Sequence, residues 1–132
     1  MKSMINLALA TSLLASAAAA DGTTRYMLEG IAEASTWGAI LESPQDRGPN
    51  AAALMSAAGC ELIDYYFGMY NYKSYVIIEC PSSVDISPIQ ITMFGAGTVD
   101  SGTATPIVTT SEMVDVAKAA QKLSGSYSGP SE

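Results

Sequence analysis

Histidine is absent from the 132 residues of this chain. Its absence removes the usual general base, the Ser-His-Asp and Cys-His pairs of nucleophilic catalysis, and the commonest protein ligand of metal ions and haem. Basic side chains are also scarce, because six lysines and arginines stand against 13 acidic residues, for a formal net charge of -7. An acidic surface repels phosphate backbones and anionic lipids, so we expect no nucleic-acid partner.

GxGxxG, P-loop and CxxC motifs are missing as well, and the methionines show no metal-binding spacing. We therefore predict no cofactor and no metal site. The residues that are present suit a folded core, since 48% are hydrophobic and 14% are charged, far from the composition of a disordered chain. The length fits one compact domain.

An apolar run near the N-terminus has the order of a secretory signal peptide. Leu7–Ala15 follows a short positively charged start and gives way to small residues, with Ala18 and Ala20 at the -3 and -1 positions of a cut before Asp21. The run is shorter than the roughly 20 apolar residues that span a bilayer. We predict that residues 1–20 are removed, and that the mature protein is periplasmic or extracellular, without membrane attachment.

Hydrophobic periodicity and the positions of glycine and proline divide the mature chain into strands and helices. The order is a strand, a broken helix, the two strands of a hairpin, a helix, a strand, a final helix and a flexible tail. The predicted bounds are Thr24–Glu29, Ala32–Glu42 with Asn50–Ala58, Cys60–Phe67, Lys73–Cys80, Ile86–Phe94, Thr103–Thr110, Glu112–Leu123 and the tail Ser124–Glu132.

Local signals support two of the helices. Trp37, Ile40 and Leu41 recur at spacings of three and four, which predicts one apolar stripe on the first helix. Thr109 is followed three residues later by Glu112, which is the spacing of a capping box at the start of the last helix.

Two strand-helix-strand halves in this order predict an α+β fold, the ferredoxin-like βαββαβ sandwich with an extra C-terminal helix, spanning residues 21–123. The strand Lys73–Cys80 suits an inner position, because Tyr75–Ile78 is apolar on both faces, and Pro106 suits an edge strand. Helices on one face leave the other face of the sheet bare. Self-association covers such a face, so we expect a homodimer.

The two cysteines lie at the outer ends of the predicted hairpin. With the loop centred on Tyr70, Cys60 faces Cys80, and Tyr65 faces Tyr75, just as Ile63 faces Ile77. Directly opposed positions place the Cβ atoms near the separation of a disulfide, whereas a shift of register separates them. Either a Cys60–Cys80 bridge or two buried thiols is compatible with the sequence.

Three segments resemble the GYD-domain family. Leu41–Arg47 is similar to its helix-one signature, Phe67–Asn71 falls at its Gly-x-Tyr-Asp turn, and Ile77–Pro81 resembles the strand that follows, in the family's order from Thr24 to Leu123. The chain departs from the family by an asparagine at the position of the aspartate and by a loop two residues longer. The resemblance implies a dimeric α/β-barrel, in which two ferredoxin-like sheets face each other.

Aromatic residues and one arginine are the candidate ligand-binding residues. We predict that any pocket draws on Trp37, Arg47, Tyr65, Tyr66 and Tyr70, because tyrosine hydroxyls orient a ligand and a guanidinium binds a carboxylate or enolate. The alternatives are that the aromatic residues pack as strand residues and that Arg47 pairs locally with its neighbouring aspartate.

Two functions are compatible with these residues. The first is a dimeric small-molecule-binding or stress-associated protein of the cell envelope, favoured because the polar residues are few and histidine is missing. The second is a cofactor-free enzyme, of the monooxygenase or isomerase type found among proteins of this architecture, acting on a small aromatic or enolisable compound.

Overall fold

The computed structural model describes residues 22–130, which contain four strands and four helices. The α+β class predicted from the sequence is confirmed, and the predicted signal peptide lies outside the described residues. In chain order the elements are β1 (Thr23–Ala32), α1 (Ala34–Glu42), α2 (Gly48–Ala57), β2 (Glu61–Phe67), β3 (Lys73–Pro81), α3 (Ser87–Gly95), β4 (Val99–Ile107) and α4 (Glu112–Ser124).

The strands form one antiparallel sheet in the order β2-β3-β1-β4, which is compatible with a ferredoxin-like arrangement. β3 is an inner strand, as predicted. β4 lies at an edge of the sheet, so the missing N–H of Pro106 removes no hydrogen bond between the inner strands. The predicted start of β4 was wrong, because Gly102 lies inside the strand, paired with Gly30, and the strand ends at Ile107.

The break in the first helical region follows the prolines, with one correction. α1 ends at Glu42, since a residue before proline disfavours the helical conformation. α2 begins at Gly48 rather than at the predicted Asn50, because Pro49 occupies the first turn, where its missing N–H would have no partner anyway. Gly59, with φ of 83°, ends this helix as a left-handed residue.

The core lies between the sheet and the helices. Met55 of α2 and Ile89 of α3 are buried against Leu28, Val76 and Ile78 of the two inner strands, which therefore face the helices. Burial of apolar side chains such as these stabilises by about 25 cal/mol for each Å² removed from water.

One residue of the predicted α1 stripe does not join this core. Leu41 is 81% exposed, whereas Ile40 is partly buried. Consecutive helical residues differ in direction by about 100°, so the two neighbours cannot share a narrow face.

No element of residues 22–130 covers the other face of the sheet. Its apolar side chains include Ile31, 45% exposed, and Tyr66, 56% exposed. Ion pairs flank them, with Lys73 Nζ 2.6 Å from Glu29 Oε1 and Arg25 Nη2 3.2 Å from a glutamate of β3. This face has the composition of an apolar patch with a charged rim.

The hairpin register changes at a bulge in β2. Leu62 pairs with Ile78, but Asp64 pairs with Ile77, so Ile63 is an extra residue. The predicted pairings of Ile63 with Ile77 and of Tyr65 with Tyr75 were therefore wrong, and Tyr65 pairs with Val76.

On the cysteine side of the bulge the predicted register holds, since Glu61 pairs with Glu79. Cys60 and Cys80 form a disulfide, with Cα atoms 4.4 Å apart. Both side chains are buried beside the core.

α4 extends from the domain. The predicted capping box is present, because Thr109 N donates to Glu112 Oε2 at 2.6 Å and Glu112 N donates to Thr109 Oγ1 at 3.1 Å. Arg25 Nη1 also donates to Glu112, which ties the start of the helix to the uncovered sheet face. All residues from 108 to 130 are exposed. Within residues 22–130 no helix has the length and hydropathy needed to cross a membrane.

Replacing Cys60 and Cys80 with alanine removes a cross-link between positions 20 residues apart. A loop of this length is worth roughly 3 kcal/mol in the chain-entropy model. We expect the free energy of unfolding of the double variant, measured in urea, to fall by about that amount. Dithiothreitol should destabilise the wild-type protein and leave the double variant unchanged, because the variant has no disulfide to reduce. Alkylation at both cysteines of denatured, unreduced protein would contradict the bridge.

Candidate functional site

A cavity of about 330 Å³ lies between the sheet and the helices. Its wall is largely apolar and is contributed by α1, α2, α3, β2 and β3. The side chains that define it are those of Ile40, Arg47, Leu54, Tyr65, Phe67 and Met93. Threonines at positions 36, 92 and 98 and an asparagine at position 50 add polar groups, and the lining residues include no aspartate, glutamate or lysine.

The bulge in β2 directs two aromatic side chains to this cavity. Side chains alternate between the faces of a strand, so the extra residue at Ile63 places Tyr65 and Phe67 on the helix side. Their ring centroids are 5.0 Å apart. Such a pair gives the cavity a rigid aromatic wall.

Arg47 lies in the connection between α1 and α2 and reaches the same cavity. Its Nη2 donates to Ala39 O at 3.2 Å and to Ser43 O at 3.3 Å, so the guanidinium satisfies carbonyls at the end of α1. Its Nε is buried and has no hydrogen-bond partner among the described residues. Asp46 instead accepts a hydrogen bond from Gly48 N at 2.8 Å.

The local ion pair that the sequence offered for Arg47 is therefore not formed. No carboxylate of residues 22–130 lies within 4.0 Å of this guanidinium. A second, more open cavity of about 420 Å³ adjoins the first, and Arg47 and Tyr65 line both.

Tyr65 is the titratable neighbour of Arg47. Burial raises the pKa of its phenol, and the positive charge of Arg47 acts in the opposite direction without reversing the change. With a raised pKa the hydroxyl stays protonated near neutral pH. It can therefore donate a hydrogen bond to a ligand, but it is not a base.

Trp37 supports the aromatic wall from behind. Its ring lies 5.6 Å from the ring of Phe67 and 6.3 Å from that of Tyr72, measured between centroids. Trp37 is partly buried and contacts the cavity through Phe67 rather than lining it.

The structure does not bring the other two predicted residues to this site. Tyr66 lies on the opposite sheet face, where a hydrogen bond with Asp64 raises the pKa of its phenol. Tyr70 lies at the hairpin tip and is 97% exposed. Tyr66 follows Tyr65 directly on the strand and therefore points to the other face of the sheet. Tyr70 lies beyond the end of β2, at the tip of the loop, and so does not reach Arg47 and Tyr65.

Asn71 organises the hairpin loop. Its Oδ1 accepts from Lys73 N at 3.1 Å and its Nδ2 donates to Tyr75 Oη at 2.5 Å. The side chain folds over Gly68, where an added Cβ would overlap it. The amide therefore has a structural role in the turn.

No family model, curated protein or solved structure matches this chain. The functional assignment consequently depends on the geometry of the cavity. Among residues 22–130, no group of three cysteine, aspartate or glutamate side chains is placed to hold a metal ion.

Sequence reasoning missed the α3 side of the cavity. Thr92 and Met93 line it, yet the β-branched composition of this segment gave only a weak helical signal and no indication of direction. Ala51 of α2 was also missed, because a short side chain carries little information about what it faces.

Ala51→Leu tests the cavity, because Ala51 lines it. The larger side chain fills apolar space, so we expect the free energy of unfolding to rise by about 1 kcal/mol in chemical denaturation. Ala53→Leu is the matched control, since Ala53 is exposed on the same helix. A large loss of stability in Ala51→Leu alone would show that the space is not open to a side chain of this size.

Proposed function

We propose that this protein is an exported, dimeric domain that binds a small, largely apolar molecule in the cavity between the sheet and the helices. The cavity is the observation on which the proposal depends. Its volume of about 330 Å³ falls within the roughly 300–1,000 Å³ of small-molecule sites. Such sites combine apolar walls with a few convergent polar groups, and here Arg47 and Tyr65 are those groups.

The composition of the lining favours binding over the alternative of a cofactor-free enzyme. Monooxygenase or isomerase chemistry on an enolisable compound needs a base to remove a proton. The lining residues include no carboxylate and no lysine, and the raised pKa of Tyr65 keeps its phenol protonated. Arg47 and Tyr65 are suited to hold a charge and not to move a proton.

The uncovered sheet face supports the proposal of a dimer. It presents Met27, Ile31 and Ile77 inside a rim of ion pairs, and α4 exposes apolar side chains beside it. Isolated helices of 13 residues are marginal in water, so a partner surface would stabilise α4. A ferredoxin-like domain paired through this face would have the dimeric α/β-barrel architecture that the resemblance to GYD domains implies.

The disulfide supports the proposal of export. Disulfides persist in oxidising compartments and are rare where thiols are kept reduced. Together with the signal-peptide pattern before Asp21, the Cys60–Cys80 bridge favours a protein of the cell envelope or the extracellular space.

Binding is tested with four phenyl-substituted acids and their amides, used at millimolar concentration: benzoate, phenylacetate, 3-phenylpropionate and 4-phenylbutyrate. We expect at least one compound to raise the unfolding temperature of the wild-type protein and of Ala53→Leu, because a ligand stabilises the state that it binds. Ala51→Leu, which fills the cavity, should not respond. Failure of all eight compounds to bind would contradict the proposed function.

The dimer is tested by light scattering on the mature protein at micromolar concentration, which should give twice the chain mass. Ile31→Lys introduces a charge into the uncovered face, and we expect it to produce a monomer, since burying an unpaired charge is unfavourable. Leu41→Lys, at an exposed position of α1, is the control and should remain dimeric. A monomeric wild-type protein would refute the dimer and leave the binding proposal standing.

A further inference from the structure

We infer that the ligand carries a carboxylate, which Arg47 and Tyr65 bind at one end of the cavity, with an aryl or alkyl body in the apolar remainder. This inference rests on the proposed function and names the class of molecule that the site takes.

The charge of Arg47 is the first reason. The two basic residues that belong to strands of the sheet are both in ion pairs: Arg25 pairs with Glu79 and Glu112, and Lys73 pairs with Glu29. Arg47 is partly buried, yet within residues 22–130 its guanidinium donates hydrogen bonds only to neutral carbonyl oxygens. A charge removed from water is stabilised by an opposite charge. The anion of a ligand can supply that opposite charge to Arg47.

The donors left at the site are the second reason. Both hydrogen bonds of the guanidinium use Nη2, whereas an arginine carries five N–H groups. No hydrogen bond of Nη1 is formed within residues 22–130, and Arg47 and Tyr65 line the same cavity. Carboxylate oxygens accept several hydrogen bonds, and those from a guanidinium are about twice as strong as hydrogen bonds between neutral groups.

The single positive charge selects the class of anion. Among the described residues, Arg47 is the one charged side chain of this cavity, and Asp46 and Asp64 line the adjoining, more open cavity. A monoanion would be neutralised by Arg47, whereas a phosphate dianion would keep a net charge in an apolar site beside two carboxylates. A carboxylate is the common monoanion that an arginine recognises. The apolar side of the site then takes the rest of the molecule, against Leu54, Phe67 and Met93.

The size of the cavity limits that body. A volume of about 330 Å³ lies at the small end of the roughly 300–1,000 Å³ of small-molecule sites, which suits a single aromatic ring with a short chain. 3-Phenylpropionate is such a molecule, and its amide has the same number of non-hydrogen atoms without the charge. The two compounds therefore separate the contribution of the carboxylate from that of the aryl body.

The experiment compares each acid with its amide by calorimetry or ligand-observed NMR. For the pairs that bind, we expect the acid to bind wild-type protein at least tenfold more tightly, the factor that 1.4 kcal/mol represents and the lower end for a hydrogen bond to a charged group. In Arg47→Gln the ratio of the Kd of the amide to the Kd of the acid should fall to nearly one, and in Tyr65→Phe this ratio should fall several-fold. Arg25→Gln and Tyr66→Phe, which change the uncovered sheet face, should retain it.

The outcomes are distinguishable. Amides that bind as tightly as acids, or a preference that Arg47→Gln leaves intact, would overturn the carboxylate inference while the binding function stands. Failure of all the compounds would overturn the binding function and this inference with it. If Arg47→Gln does not fold, the preference in wild-type protein and its loss in Tyr65→Phe decide the question.

Discussion

The extra residue at Ile63 of β2 decides which side chains of the hairpin face the helices. Before this bulge Cys60 lies on the helix side, where it can reach its partner cysteine; after it Tyr65 and Phe67 lie on that side. An uninterrupted register could satisfy only one of these placements, because side chains alternate with a period of two. It would have turned Tyr66 toward the helices in place of Tyr65. The bulge thus allows the disulfide and the aromatic wall to occupy one face.

A second constraint is the proline-containing break between α1 and α2. Ending α1 leaves Ser43 O without an intrahelical partner, and Arg47 donates to it and to Ala39 O, which also accepts from Ser43 N. The guanidinium is thereby positioned by neutral oxygens, and its charge is not neutralised by the connection that holds it. Helix termination and the polar end of the cavity are therefore consequences of one short segment.

The features that the sequence predicts well depend on neighbouring residues. The capping box of Thr109 and Glu112 and the left-handed Gly59 involve groups within a few positions, so residue type and spacing are sufficient. The bulge at Ile63 and the cavity-lining direction of Met93 depend on which surfaces fit together across the core. For that reason the predicted site contained Arg47 and Tyr65, which line one cavity, along with aromatic residues that do not line it.

The few cations of the domain are unevenly placed. Of the five that follow Asp21, Arg25 and Lys73 are in ion pairs, Arg47 contacts carbonyl oxygens, and Lys118 and Lys122 lie on α4. α4 also carries Glu112 and Asp115 in its first turn, so its two acidic and two basic side chains balance, with the acidic pair nearer the N-terminus. This order matches the helix macrodipole, which favours negative side chains at the N-terminus and positive side chains at the C-terminus. Salt screens such charge–dipole interactions, so rising ionic strength removes part of the stabilisation that holds α4 in helical form.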